Sequence, residues 1–429
     1  MKRFDVLIVG DFRFPGGTSA AIAHELRALR STTHSVGLHH VNSAYLGRKL
    51  VAWHHDIVAE VNRGSLDVLA EGAAAEASVL FVHSPWVLRQ IAPTRLRAPV
   101  RILVAHHPPA DARGRLYYDP RSIERQARTA FGGRFIWAPI SPVCRDAFDA
   151  AGVTFPRLRM DWTNLIFVDD WGAARSRLIG DQPVIGRHSR PRNEKWPATR
   201  DALLEVFPSG GAIQVKLMGL SEKMKGLIGE HPCNWQTIEP DEISVRQFLS
   251  SLDFFVYFHH PDWVEAYGRT VAEAAAAGCI VILPRYLSKT FGDAGLYCEP
   301  AEALELVRAV AVDRERFAEL SARGREIIDQ RFGLASYLDR LQRMLAAARG
   351  DIPLDEIVER PRLTVPAVLQ GEAKRAVFYW QRRRSSIAKI RPKRALKREV
   401  KRFRRRLLDW RPKRALKRQV KRLRRRLLD

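Results

Sequence analysis

Cysteine is scarce in this chain. Only four occur among 429 residues, Cys144, Cys233, Cys279 and Cys298. None stands in a C-x-x-C pair, which excludes a disulfide framework or a thiolate zinc site and fits reduced thiols in a cytosolic protein. Long hydrophobic runs are missing as well. No stretch of about 18 apolar residues exists, so no membrane span is expected. The run Val6–Val9 in MKRFDVLIVG is shorter than a signal-peptide core of roughly 7–15 residues and reads as a first buried strand. Glycine (27) and proline (24) are ordinary in number, which excludes a collagenous or wholly disordered chain. Two ligand motifs are also absent. The glycine loop Phe14-Pro-Gly16-Gly17-Thr-Ser19 is not G-x-G-x-x-G, and Asp169-Asp170 is an adjacent pair rather than D-x-D. A dinucleotide fingerprint is thus weakly supported, and no metal site and no cofactor are expected.

Acidic charge is nearly missing from one end. Residues 371–429 hold 26 of the 72 Lys and Arg but only 4 of the 47 Asp and Glu, so +22 of the net +25 sits there and the other 370 residues carry +3. The body is near-neutral and globular, and the overall basic pI says little about it. The basic segment is a duplication. RPKRALKREVKRFRRRLLD (391–409) and RPKRALKRQVKRLRRRLLD (411–429) are offset by 20 residues and agree at 17 of 19 positions. Each unit opens with a proline suited to a first helical turn. Leu396, Val400, Phe403 and Leu407, and then Leu416, Val420, Leu423 and Leu427, form apolar stripes at helical spacing, with Trp410 between the units. An apolar stripe in a cationic helix suits an anionic membrane surface, where each Lys or Arg contributes about 1 kcal/mol. Nucleic acid is the rival partner, but phosphate contacts need no regular apolar face, so it is the less favoured one.

What fills the body is alternation. Residues 5–10, 36–41, 79–83, 100–106 and 135–140 read as short buried strands with helical patterns between several of them. The pattern restarts near residue 183, with strands at 184–186, 212–218, 253–258 and 279–283 and helices at 269–277, 301–312, 314–330 and 337–348. This predicts an α/β protein with two doubly wound Rossmann-like domains facing a cleft. The expected boundaries are 1–168 and 183–348 for the domains, 349–370 for a linker, and 371–429 for the helical tail.

The richest stretch is Glu265-Ala-Tyr-Gly268-Arg269-Thr270-Val-Ala-Glu273-Ala-Ala-Ala-Ala-Gly278-Cys-Ile-Val-Ile-Leu-Pro284. A glycine at a strand-to-helix turn lets a ligand approach the backbone, and the helix amides after it favour anions. A carboxylate one and a half turns further on can accept from sugar or ribose hydroxyls. Here the chain resembles family 4 of the retaining glycosyltransferases, whose fold is called GT-B. That resemblance rests on the two glutamates with seven residues between them, the small-residue helix, Gly278 and the apolar strand ending at Pro284. It covers about residues 2–348, strongly in the second domain and loosely in the first.

The resemblance implies a metal-independent transfer from a nucleotide-diphosphate sugar, with Glu273 on the donor ribose and Glu265 near the reaction centre. Gly268, Arg269 and Thr270 would face the diphosphate or sugar. In Gly186-Arg-His-Ser-Arg-Pro-Arg-Asn-Glu-Lys195 it implies Arg187 and Lys195 as diphosphate ligands, although this loop is longer than usual and Arg190 and Arg192 compete. Cations belong there because the leaving nucleotide gains negative charge. It further implies Gly16 and Gly17 close to donor and acceptor, and a histidine near the sugar, either His106 or His107, with His83 a weaker candidate. The acceptor expected from the basic tail is a membrane-associated glycan or lipid-linked precursor, and the expected location is cytoplasmic, peripheral at the inner face of the plasma membrane. An epimerase or phosphorylase on the same fold, and a nucleic-acid-binding protein with an inactive enzyme-like body, are the alternatives.

Overall fold

The computed structural model describes residues 1–46 and 51–388. The chain divides into two compact units, Met1–Gly371 and Glu372–Asp429. The second is described only as far as Ala388 and is helical there. Both basic repeats, with their apolar stripes and Trp410, lie outside the described residues.

Two sheets organise Met1–Gly371. The first is built from β1 (Lys2–Gly10), β2 (Val36–His40), β3 (Asp67–Leu69), β4 (Ala74–His83), β5 (Arg95–Arg97), β6 (Val100–Ala105), β7 (Ile136–Pro139) and β8 (Arg157–Leu158). The second contains β9 (Val184–His188), β10 (Gln214–Met218), β11 (Trp235–Ile238), β12 (Phe254–Val256), β13 (Ile280–Pro284) and β14 (Gly295–Cys298), and β15 (Val358–Glu359) returns to the first. Spatial order is β15-β8-β7-β6-β4-β1-β2-β3 in one sheet, with β5 on β4, and β11-β10-β9-β12-β13-β14 in the other. The only antiparallel pairing among the described strands is β15 on β8.

Continuous apolar runs, not alternating ones, mark strands covered on both faces. Val6, Leu7, Ile8 and Val9 of β1 are fully buried, and so are Val281, Ile282 and Leu283 of β13. In each sheet the strand order reverses beside the first strand, between β1 and β4 and between β9 and β12. Such reversals open a crevice at the carboxyl ends of the strands, and they place the loops after β1, β4, β9 and β12 where a ligand can enter.

Some elements differ from the sequence expectation. Strand β12 stops at Val256, and β9 runs on to His188. The helix Pro120–Phe131 is weakly hydrophobic but well bounded: Asp119 caps its first turn, a proline opens it, and Gly132 closes it in the left-handed conformation. Residues 349–370 are not a free linker. They contain the helical turn Leu354–Ile357 and then β15, whose Glu359 accepts from Arg145 Nη1 at 2.8 Å and Arg157 Nε at 2.7 Å. The preceding helix, Leu334–Arg349, was expected in the second domain. It packs instead on β4 and β6 of the first sheet, with Tyr337 edge-on to Trp162 at 5.8 Å. Proline and charge hid this return, because only two residues of β15 pair and two arginines hold them.

Replacing Glu359 should therefore cost stability. Arg145 and Arg157 keep Asp161 and Asp149 as partners, so the expected loss for Glu359→Ala is about 1–2 kcal/mol. Urea denaturation of the two proteins measures it, and an unchanged midpoint would contradict the docking of β15.

Candidate active site

Four chain segments converge at the carboxyl ends of the two sheets. The first follows β1. Gly16 has φ +82° and caps the helix Gly17–Arg30 without a side chain. A Cβ there would also lie 3.1 Å from the Arg190 guanidinium, whose Nη1 donates to the Pro15 carbonyl at 3.3 Å. Gly16 is thus needed both for its backbone and for the approach of a basic loop from the other domain. Gly17 has open space around it.

The second segment continues β9. Arg187 is completely buried, with its guanidinium over the rings of Tyr257 at 4.4 Å and Trp196 at 4.7 Å. Its Nη1 donates to the Phe258 carbonyl, while Nε and Nη2 have no hydrogen-bond partner among the described residues. A buried cation with unsatisfied donors is costly. Burial pulls its pKa below the usual arginine value.

Lys195 belongs to the same loop and meets the third segment. Its Nζ donates to Glu265 Oε2 at 2.6 Å and sits 4.3 Å from the centre of the Trp263 ring. Glu265 also accepts from the Tyr257 hydroxyl and from Trp263 Nε1 at 3.2 Å. Burial alone would raise the Glu265 carboxyl. Lys195 and Tyr257 outweigh it and hold the group well below the usual range. The Tyr286 hydroxyl accepts from the Glu265 backbone N–H at 3.3 Å and contacts His259 Nε2 at 2.6 Å.

Past Glu265, Gly268 takes φ +85° and starts the helix Arg269–Ala276. Arg269 Nε donates to Glu273 Oε1 at 2.7 Å, and its Nη2 is 3.1 Å from His24 Nε2 of the first domain. Glu273 Oε2 lies 3.7 Å from His188 Nε2. Glu273 is buried, which raises its carboxyl although Arg269 opposes this. Thr270 is half-buried on the first turn.

The fourth segment follows β6 and separates the two candidate histidines. His106 turns into the first domain, where its Nε2 is 3.0 Å from His83 Nδ1. His107 lies among Lys195, Glu265, Arg190 and Arg192. Burial first, and then the cations, draw its pKa down to about 4. The site thus collects Lys195, Glu265, Arg187, Arg190 and His107. Arg269, Glu273 and His188 form a neighbouring group at the helix start. Asp169 and Asp170 lie elsewhere, paired with Arg325 at 3.0 Å and with Arg27. Among the described residues one potential metal-ligand group occurs, His54, His55 and Asp56.

Sequence reasoning missed Tyr257, Trp263, His259 and Tyr286. The first two flank the quoted motif, but aromatic residues near a strand end carry no signal of which carboxylate they hold. It left Arg190 a competitor, whose partner is 175 residues away in the chain.

The chain is similar in structure to several glycosyltransferases. HepE (Alr3699) of Anabaena in complex with UDP-glucose is 13% identical, with 80% of this chain and 100% of that chain covered and a TM-score of 0.55. A glycosyltransferase from Rickettsia africae ESF-5 is 12% identical, with 81% and 99% covered and a TM-score of 0.56. AviGT4, a glycosyltransferase involved in avilamycin A biosynthesis, is 15% identical, with 82% and 99% covered and a TM-score of 0.51. No protein-family profile matches the chain, and no curated protein matches it by sequence. At these identities the likeness defines the fold, which is GT-B: two Rossmann-like domains facing a cleft.

Lys195→Met should leave Glu265 buried without its cation. The expected destabilisation is about 3–5 kcal/mol, against a smaller loss for Glu265→Gln, which still accepts from Tyr257 and Trp263. A carboxyl held below its ordinary 4.5 stabilises fully above that pH and less as the pH falls. Wild type and Lys195→Met should therefore converge in acid. Denaturation midpoints read across pH check this, and a gap that persists in acid would count against the ion pair.

Proposed function

We infer that the protein is a retaining glycosyltransferase that moves a sugar from a nucleotide-diphosphate donor to an acceptor hydroxyl. One observation carries the reading. Arg187 is completely buried at the point where strand order reverses, with two donor groups lacking a partner among the described residues, beside a lysine and a glutamate from the two motifs. A fold does not define a reaction, but unsatisfied cationic donors at the carboxyl end of a Rossmann-like sheet fit a diphosphate. The structural neighbour HepE binds UDP and UDP-glucose, which supports a nucleotide sugar as donor here.

In this reading Arg187, Lys195 and the backbone at Gly268–Thr270 hold the diphosphate, and their charge offsets that of the departing nucleotide without a metal ion. Glu265 lies near the transferred sugar, kept ionised by Lys195. Glu273 receives the donor ribose after exchanging its contact with Arg269. His107 borders the sugar side, and the Gly16–Gly17 loop the acceptor side. The acceptor is a membrane-associated glycan or lipid-linked precursor. That part rests on the amphipathic basic repeats alone, which would place the enzyme on an anionic membrane surface. No helix among the described residues is long and apolar enough to cross a membrane.

A thermal-shift screen with UDP-, GDP-, ADP- and dTDP-sugars tests the donor. A ligand at 100 times its Kd stabilises by about 2.7 kcal/mol. One nucleotide class should shift the wild type, and Glu273→Ala should abolish the shift. A folded wild type that responds to none would overturn the reading. With the donor known, Arg187→Met should lower kcat by about 10²–10³-fold. Truncation before residue 371 should leave an enzyme that no longer sediments with anionic vesicles, and unchanged sedimentation would sink the membrane reading.

A further inference from the structure

Beneath the cleft, a line of ionisable groups runs into the core of the first domain. His106 follows β6, and its Nε2 is 3.0 Å from Nδ1 of His83, the last residue of β4. His83 Nε2 is 3.5 Å from Glu25 Oε2, an approach longer than the inter-ring bond, and neither atom has a hydrogen-bond partner among the described residues. Glu25 comes from the middle of the helix Gly17–Arg30, whose start carries the glycine loop. Its Oε1 accepts from Trp162 Nε1 at 3.1 Å, and Tyr337 and Arg340 face it from the helix Leu334–Arg349. Glu25 and His83 are about as buried as any of the described residues, at 1% and 0% exposure. At the outer end, His106 Nδ1 makes no hydrogen bond with the described residues. A carboxyl group and two imidazoles in a row are expensive to bury, and packing alone does not account for them.

Hydrogen counting restricts what this row can be. Both rings are neutral, since burial draws each pKa down, His83 to about 3 and His106 well below its ordinary value. A neutral imidazole has one N–H and one bare nitrogen. The single proton between the rings therefore sets both outer nitrogens at once. If His83 Nδ1 donates to His106 Nε2, then His83 Nε2 is bare and only a protonated Glu25 can donate to it across the 3.5 Å gap, while His106 Nδ1 bears a hydrogen. If His106 Nε2 donates instead, His83 Nε2–H points at an ionised Glu25, and His106 Nδ1 is bare.

We propose that Glu25 and His83 act as a proton relay that sets whether His106 offers a donor or an acceptor at Nδ1. The two arrangements interconvert by three coordinated transfers. One proton leaves His106 Nδ1 for solvent or a ligand, the inter-ring proton moves from His83 Nδ1 to His106 Nε2, and the Glu25 proton moves to His83 Nε2. The negative charge then appears on Glu25, where Arg340, Trp162 and Tyr337 face it. Burial raises the Glu25 carboxyl to about 8, although Trp162, Arg340 and Tyr337 pull it down. His106 has only His83 and His107 as charged or titratable neighbours that influence it. Near neutral pH, Nδ1 is accordingly a donor to a ligand oxygen, and it becomes an acceptor as the pH rises through about 8. Glu25 and His83 are positioning residues that act through His106. That the ligand is a sugar rests on the glycosyl-transfer reading; the relay does not.

The test is the tautomeric state of the two rings, read by long-range nitrogen–proton NMR on full-length protein with labelled histidine and no nucleotide present. Single His83→Gln and His106→Gln substitutions assign the signals. In the wild type, His106 Nδ1 should change from hydrogen-bearing to bare as the pH passes about 8. Glu25→Gln should hold it hydrogen-bearing throughout, because the amide keeps an acceptor for Trp162 and a permanent donor for His83. An unchanged wild-type His106 tautomer on both sides of that pH overturns the relay, whether or not the variant folds. So does a Glu25→Gln protein that titrates like the wild type. Because no donor is in the sample, failure here is separate from failure of the nucleotide screen.

Discussion

Everything at the cleft depends on keeping one guanidinium charged and dry. Arg187 sits near the end of β9, completely buried between the Tyr257 and Trp196 rings, so water cannot serve its N–H groups. The molecule compensates with two aromatic faces, a backbone carbonyl and the field of Glu265. Tyr257, one of those faces, also donates to Glu265, and Lys195 balances the carboxylate. No member of this set can be altered without changing the surroundings of the other three. The early end of β12 belongs to the same constraint, since a strand continuing to Phe258 would engage the carbonyl that Arg187 uses.

Charge burial recurs one layer away with different partners. His24, Arg269, Glu273 and His188 form a row in which each group approaches the next, and the row crosses from the first domain to the second. Glu25, His83 and His106 form another row, wholly within the first domain. The two rows differ in kind. In the first an arginine carries permanent charge and the contacts are electrostatic. In the second every member can be neutral, and the order comes from the direction in which hydrogens point.

Much of this was legible in linear order. Buried parallel strands leave continuous apolar runs, so β1, β4, β6 and β13 were readable, and the restart of the pattern near residue 183 separated two sheets. Glu265, Gly268 and Glu273 stand within nine residues of one another, and Arg187 and Lys195 share one loop. What escaped depends on distance in sequence. His106 and His107 are identical neighbours as text, and only the fold turns one inward onto His83 and the other toward Lys195. Gly16 was expected close to donor and acceptor, but its approach to Arg190 is made only by the fold. The segment 349–370 read as a linker because proline and charge dominate it, while its attachment rests on two paired residues and two arginines from far upstream.

The return of the last helix to the first sheet has a mechanical side. The chain passes from one domain to the other between β8 and β9 and comes back at Gly333. The two passages lie against each other: the Ile166 N–H donates to the Phe332 carbonyl at 2.9 Å, Arg325 reaches the Val168 carbonyl at 3.0 Å, and Arg340 reaches that of Thr163 at 3.2 Å. Two covalent tethers pinned side by side behave like paired hinge pins. Sliding and twisting of one domain on the other would tear backbone bonds, whereas swinging about the pins would not. Opposite the pins the domains meet through Arg190 on Pro15, Arg113 on Asp262 and the Ala112 N–H on the Asp262 carbonyl at 3.2 Å. Glu25, faced by Tyr337 and Arg340 of the returning helix, is lodged on the side of the pins.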